Sequence, residues 1–154
     1  MMTGPETAVS KRWRELTTDE LFDIVVLRTE VFYVEQHSNE QDFDVLDRDA
    51  HTLHSWIADD RGLAAYLRVV VLPVEEHGAR RSFGRMAVRH DRRGQGLARR
   101  LIAGVVEQFG GEPLVIHAQS YVRRLYEGFG FVAVGEPFVE AGLPHVTMVK
   151  PGIG

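Results

Sequence analysis

Apolar residues recur along this chain at two spacings. From Leu21 they fall at helical intervals, through Ile24, Val25 and Leu27-Arg28, and Val31, Phe32 and Val34 prolong the face. Thr17 followed three residues later by Glu20 has the form of a capping box, so the pattern predicts a helix over about Asp19 to Phe32. A second helical row runs Leu97, Leu101, Val105 and Phe109, flanked by Ile102 and Val106, and stops at Gly110-Gly111. A third, Tyr121 to Phe129, sets Val122, Leu125, Tyr126 and Phe129 on one side and ends at Gly128 and Gly130. Shorter apolar runs read as strands: Trp13 to Leu16, His51 to Ala58, Leu63 to Leu72, Phe83 to Val88, Leu114 to Ala118, Phe131 to Val134 and Val146 to Val149. Asp59-Asp60-Arg61-Gly62 is a tight turn, Pro73 to Ser82 a polar connection and Pro137 to Pro144 a loop. Strands interleaved with helices in this order predict an α/β sheet covered by helices.

Two stretches break the rhythm. Met1 to Lys11 is polar and expected to be loose. Between Glu35 and Asp49, Glu35, Glu40, Asp42, Asp44, Asp47 and Asp49 surround only Phe43, Val45 and Leu46, with room for one short helix. That segment is either a solvated acidic loop or a wall of a site that favours a cationic amine. No repeat, low-complexity tract or second domain stands out, so residues 1–154 read as one domain.

Composition narrows the field. At 154 residues and 44% hydrophobic the chain can bury a real core. A net charge of −4 argues against a broad nucleic-acid surface. The absence of cysteine excludes disulfides, thiolate metal sites and a cysteine nucleophile together. With no signal-like start and no apolar run of membrane-spanning length, a cytoplasmic protein without membrane attachment is expected. No metal is expected either. His51 and His54, three apart on an expected strand, would face opposite ways, and His37, His77, His90 and His117 are scattered.

The chemistry gathers at Arg93-Gly94-Gln95-Gly96-Leu97-Ala98, between the strand carrying Met86-Ala87-Val88 and the helix starting at Leu97. A helix start exposes backbone N–H groups and the positive end of the macrodipole. Glycines let a phosphate approach that backbone, and Arg92, Arg93, Arg99 and Arg100 surround it. The stretch reads as a pyrophosphate cradle. It is not a P-loop, since no Lys-Ser/Thr follows. As a dinucleotide fingerprint it would need glycine or alanine where Arg99 stands. An ordinary charged turn, or an unrelated nucleotide site, remains open on these residues alone.

Arg93, Gly96 and Ala98 fit R/Q-x-x-G-x-G/A, which resembles the acetyl-coenzyme A loop of the GNAT superfamily of N-acetyltransferases. Leu125-Tyr126-Glu127-Gly128-Phe129-Gly130-Phe131 resembles the signature of that family's last helix. Leu27-Arg28, Val31-Phe32, Val34-Glu35-Gln36, Asp44, His51, Gly84-Arg85, Ala118-Gln119 and Gly142-x-Pro144-His145 narrow the resemblance to the ElaA-type subgroup, from about Arg14 to Lys150. One departure is His37-Ser38-Asn39, where that subgroup has a Cys-Pro-Tyr-like stretch, so acceptor preference does not carry over.

The resemblance implies a central mixed, mostly antiparallel sheet of about seven strands, splayed in the middle and flanked by helices. It implies acetyl-CoA as cosubstrate, its pyrophosphate held by backbone N–H groups from Arg93, Gly94, Gln95, Gly96, Leu97 and Ala98 to Arg99. The pantetheine arm would pair with Met86, Ala87 and Val88. Tyr126 becomes the candidate acid for the departing thiolate, the alternative being a plain core residue on its helix. Glu35 is the first candidate base, with a water relay as equal competitor. His145, His51 and Gln119 are candidate acceptor-side residues, though a satisfied strand histidine describes the first two equally well. A lysine-like acceptor needs roughly 4.6 kcal/mol to be neutral at pH 7, an α-amine only about 1. The acceptor is expected to be a small-molecule or peptide amine, and a homodimer is left open. The competing reading is a non-catalytic acyl-CoA-binding or sensing protein on the same fold.

Overall fold

The computed structural model describes residues 6–153. Seven strands form one mixed sheet: β1 (Val9–Arg12), β2 (Leu53–Asp59), β3 (Gly62–Glu76), β4 (Ala79–Val88), β5 (Leu114–Gln119), β6 (Val132–Glu140) and β7 (Leu143–Lys150), in the order β1-β2-β3-β4-β5-β7-β6. β4 and β5 run parallel, in the register Arg81↔Leu114 and Ser82↔Val115. The β1–β2, β5–β7 and β6–β7 pairs are antiparallel. Three α-helices accompany the sheet: α1 (Thr18–Arg28), α2 (Leu97–Phe109) and α3 (Arg123–Glu127).

The chain divides into two compact units. One holds the residues up to Arg68 together with Arg85–Leu101, the other Val69–Gly84 together with the chain from Ile102. In the first, Ile24, Leu27 and Val31 pack with Trp56, Leu63, Tyr66 and Ala87. In the second, the rings of Phe83, Tyr126 and Phe131 meet at centroid distances of 5.8–6.1 Å. Leu114, Val115, Ile116, Val146 and Met148 are buried around the same strands.

The capping box forms as expected: Glu20 N–H donates to Thr17 Oγ1 at 3.0 Å and Thr17 N–H to Glu20 Oε1 at 2.9 Å. The helix then widens into a π-helical stretch, Thr29–Glu35, instead of stopping at Phe32. His37, at φ 55, closes that end, with Ser38 N–H reaching back to the Phe32 carbonyl at 2.9 Å.

Five local expectations are corrected. Of the loose start expected at residues 1–11, residues 1–5 lie outside the described residues, and Val9–Lys11 belong to β1, paired with Trp56, Ser55 and His54. The strand expected at Trp13 to Leu16 is a 3₁₀ turn at Trp13–Glu15, because Glu15 folds back to accept the Arg12 N–H at 2.8 Å. The polar connection and the loop are both hairpins. His77-Gly78, at φ 49 and 81, and Ala141-Gly142, at φ 51 and 78, are two-residue turns whose left-handed pairs match the twist of the flanking strands. β3 therefore runs on past Pro73, and β6, irregular between Val134 and Phe138 where Pro137 lies, resumes its pairing with β7 at Phe138↔His145 and Val139↔Pro144. The last helix is shorter than Tyr121 to Phe129: a 3₁₀ turn at Ser120–Val122 leads into α3.

Candidate active site

The loop ahead of α2 has a glycine-bent backbone that runs straight into the helix start. Gly94 and Gly96 stand at φ 76 and 77, and a Cβ on either would meet open space. Arg100 N–H is the first amide to find a helical acceptor, the Gly96 carbonyl at 3.1 Å. Among the described residues, the N–H groups of Gly94, Gln95, Gly96, Leu97, Ala98 and Arg99 donate to nothing. Six unpartnered donors on a glycine-bent backbone suit one ligand type, a multiply charged anion that accepts several bonds at once.

The arginines divide differently from expectation. Arg92 donates to Glu6, to Asp59 at 2.7 Å and to Gln95 Oε1 at 2.8 Å. Its hydrogen bond holds the Glu6 carboxyl below the usual carboxylate range. Arg100 donates to the Glu6 carbonyl. Arg93 bridges two groups of its own unit: Nε donates to the Val88 carbonyl at 3.0 Å and a terminal nitrogen to Glu35 at 2.7 Å. Only the Arg99 side chain, exposed on the first turn of α2, has no partner among the described residues. Of the expected strand-edge residues, Ala87 packs in the core and Val88 carries the carbonyl that Arg93 holds. Met86 is half-buried.

The acidic segment is zipped shut by cations that the spacing of its carboxylates gave no hint of. Fully buried Arg28 donates to Asp42 Oδ1 at 2.8 Å and to Asp47 Oδ1 at 2.6 Å, and its guanidinium lies 3.8 Å over the Phe43 ring. Arg68 holds Asp44 at 2.7 Å and Asp47 at 3.1 Å, and Arg85 holds Asp42 at 3.1 Å. Three carboxylates thus face three guanidiniums. Burial works to raise the Asp47 pKa, but the hydrogen bond and charge of Arg28, aided by Arg68, outweigh it and hold it low. A signal for this was present: Arg28 and Arg68 interrupt apolar runs, and a cation on a buried face needs a counter-charge.

His54 completes that network. Its Nε2 lies 2.8 Å from the Asp47 carbonyl and therefore carries the proton; Nδ1 lies 2.7 Å from the Tyr66 hydroxyl, which donates to it. Burial pushes the His54 pKa down, opposed in part by Asp47. His51, by contrast, is exposed in the turn before β2, so the strand-face argument does not apply to this pair.

In the second unit, Tyr126 is buried in α3 with its ring fixed by Phe83 and Phe131. Nothing among the described residues hydrogen-bonds its hydroxyl, and that oxygen is not among the buried unpartnered atoms. Burial, then the neighbouring Tyr121, pushes its pKa up. His145 and Gln119 are brought together as register partners across β7 and β5. His145 is buried, stacked on Phe138, with Nδ1 2.8 Å from the Leu143 carbonyl and Nε2 3.6 Å from Glu140.

Comparison with known proteins places the chain in a family. The family profile of the acetyltransferase (GNAT) domain matches residues 15–151. A UPF0039 protein of Mycobacterium tuberculosis is 36% identical over 96% of this chain and 95% of its own. Protein ElaA of Escherichia coli is 30% identical over 88% of this chain and 90% of its own. The crystal structure of Escherichia coli ElaA superposes with a TM-score of 0.84 at 27% identity, covering 94% of this chain and 99% of that one. The crystal structure of an acyl-CoA N-acyltransferase from Pseudomonas aeruginosa gives 0.82 at 34% identity, with the same two coverages. The fold, the cradle and these likenesses together make the chain an ElaA-like member of the GNAT acetyltransferase family.

Proposed function

We propose that this protein is an N-acetyltransferase that moves the acetyl group of acetyl-CoA to a primary amine by direct attack. The observation that carries the reading is the row of unpartnered amides from Gly94 to Arg99 at the start of α2, with the Arg99 side chain beside it. A coenzyme A pyrophosphate has the charge and oxygen count to take them up.

In the reaction proposed, the neutral amine attacks the thioester carbonyl, and negative charge develops on its oxygen. A backbone N–H near Val88 is the candidate donor to that oxygen. The C–S bond breaks as the carbonyl re-forms, and the thiolate takes a proton from Tyr126. A phenol is protonated at neutral pH whether or not burial raises its pKa, and the raised value means that a protein environment favouring the phenolate must form when the thiolate takes the proton; what supports the acid role is a hydroxyl that no described residue hydrogen-bonds. The amine proton leaves to Glu35 or to a water relay. Glu35 must exchange its ion pair with Arg93 to receive it. His145, Gln119 and His51 are proposed on the acceptor side, and the acceptor as a small-molecule or peptide amine.

Binding and turnover are tested separately. Melting temperature is measured with acetyl-CoA, CoA, ATP and NAD; stabilisation confined to the CoA species, growing with concentration, supports the cradle. Thiol release from acetyl-CoA is then followed over an amine panel. Binding without thiol release on any amine would favour a non-catalytic acyl-CoA sensor, and stabilisation by ATP or NAD alone would end the coenzyme A reading.

A further inference from the structure

Four non-glycine described residues hold a left-handed backbone: His37, His77, Arg85 and Ala141. Three have a local cause. His37 closes the end of the π-helical stretch, and His77 and Ala141 each precede a glycine in a two-residue hairpin turn. Arg85, at φ 50, lies inside β4, immediately before Met86-Ala87-Val88, where no turn requires that conformation.

The geometry points to Arg85 as a positioning residue, whose side chain, gripped by Asp42, holds the backbone left-handed and so sets the direction of the Met86–Val88 strand edge. Arg85 Nε lies 3.1 Å from both the Asp42 carbonyl and Asp42 Oδ1, and a terminal nitrogen lies 3.0 Å from the same carbonyl. Asp42 is itself immobilised. Fully buried Arg28 donates to both its carboxylate oxygens and to its carbonyl, and is locked in turn by Asp47. The grip therefore runs from the core of α1 through one residue of the acidic segment to the backbone of β4. Without it, a side-chain-bearing residue reverts to an extended backbone, and the carbonyls and amides after it turn with it. The functional consequence rests on the proposal that a thioester arm pairs with Met86–Val88: a misdirected edge weakens acyl-CoA binding and leaves chemistry on bound substrate less affected.

Glycine makes the inference testable, because it takes φ 50 without help. Acetyl-CoA affinity is measured by calorimetry for the wild type, Arg85→Met and Arg85→Gly, and amide hydrogen exchange at residues 86–88 is measured in the free proteins. Arg85→Met is expected to bind at least about tenfold more weakly and to change the exchange of these amides. Arg85→Gly is expected to bind within about threefold of the wild type. A merely stabilising side chain predicts the opposite order, since glycine removes the same contacts and adds chain freedom. Arg85→Gly binding no better than Arg85→Met overturns the inference, as does unchanged exchange at 86–88 in Arg85→Met. Failure of the wild type to bind acetyl-CoA would instead refute the coenzyme proposal, and the exchange comparison would still decide the role of Arg85.

Discussion

Asp47→Asn is the sharpest test of how the acidic segment is held. Asp47 is 2% exposed and touches two buried guanidiniums, Arg28 at 2.6 Å and Arg68 at 3.1 Å. Asparagine keeps the shape and can still accept the Asp44 N–H that Asp47 accepts at 3.0 Å. What goes is the charge. Breaking a buried pair costs about 3–5 kcal/mol. Asparagine has one acceptor oxygen: at the Oδ2 position it keeps a neutral bond to Arg68 of about half the strength, while its Nδ2 donor faces Arg28, which retains Asp42, so about 3 kcal/mol is expected. For a chain of this size that lowers Tm by about 6–12 °C. Urea denaturation at pH 7 measures it, with exposed Asp60→Asn as a control expected within about 0.5 kcal/mol of the wild type. The sign with pH follows from the lowered pKa of Asp47: its contribution is complete above the unfolded value near about 3.9 and disappears as pH falls through the folded value. The two proteins should therefore converge in stability below about pH 4. A loss under about 1 kcal/mol at pH 7, or a difference that persists unchanged into acid, would refute the account of Asp47 as the ionised centre of the cluster.

Tyr126→Phe should lower kcat for amine acetylation by about tenfold to a hundredfold and leave acetyl-CoA affinity within about twofold; unaltered kcat in steady-state assays removes the acid role. Gly96→Ala adds a Cβ to a left-handed residue facing open space, so stability should fall by only about 1 kcal/mol while acetyl-CoA affinity falls at least about tenfold by calorimetry. His54 has a pKa lowered by burial, so the unfolded chain takes up a proton below about pH 6.5 that the folded one refuses. Relative to His54→Asn, the wild type should lose stability between pH 7.5 and 5.5 in urea titrations, by no more than about 1.4 kcal/mol; parallel pH profiles would refute the lowered His54 pKa.

Much of the architecture could be read from apolar spacing, because α2 and the strands around it bury one face each. Leu97, Leu101, Ile102 and Val105 are all buried, and α2 begins and ends where the pattern places it. The hairpins escaped notice because their turns use His77 and Ala141 as the first left-handed residue, and because prolines sit inside β3, β6 and β7. The backbone on which the proposed cradle rests was legible because its glycines and the helix start are adjacent in sequence. Which arginines stay unengaged was not legible, since Glu6, Asp59 and Glu35 come from distant stretches of chain. The acidic segment offered two readings, and neither foresaw Arg28, Arg68 and Arg85. Ion pairing across 14 to 43 residues leaves no periodic trace, and only the misfit of a lone cation in an apolar run announces it.

That Arg92, Arg93 and Arg100 already have partners bears on how the proposed cradle would tell its ligand from the many polyanions of a cell. Amide dipoles act over the width of one contact, so they select by the outline of the group they receive, where a belt of free cations would collect anything negative. Acetyl-CoA affinity should accordingly change little between low and moderate ionic strength, with Arg99 and Arg100, whose stated partner is a neutral carbonyl, the chief sources of whatever salt dependence remains.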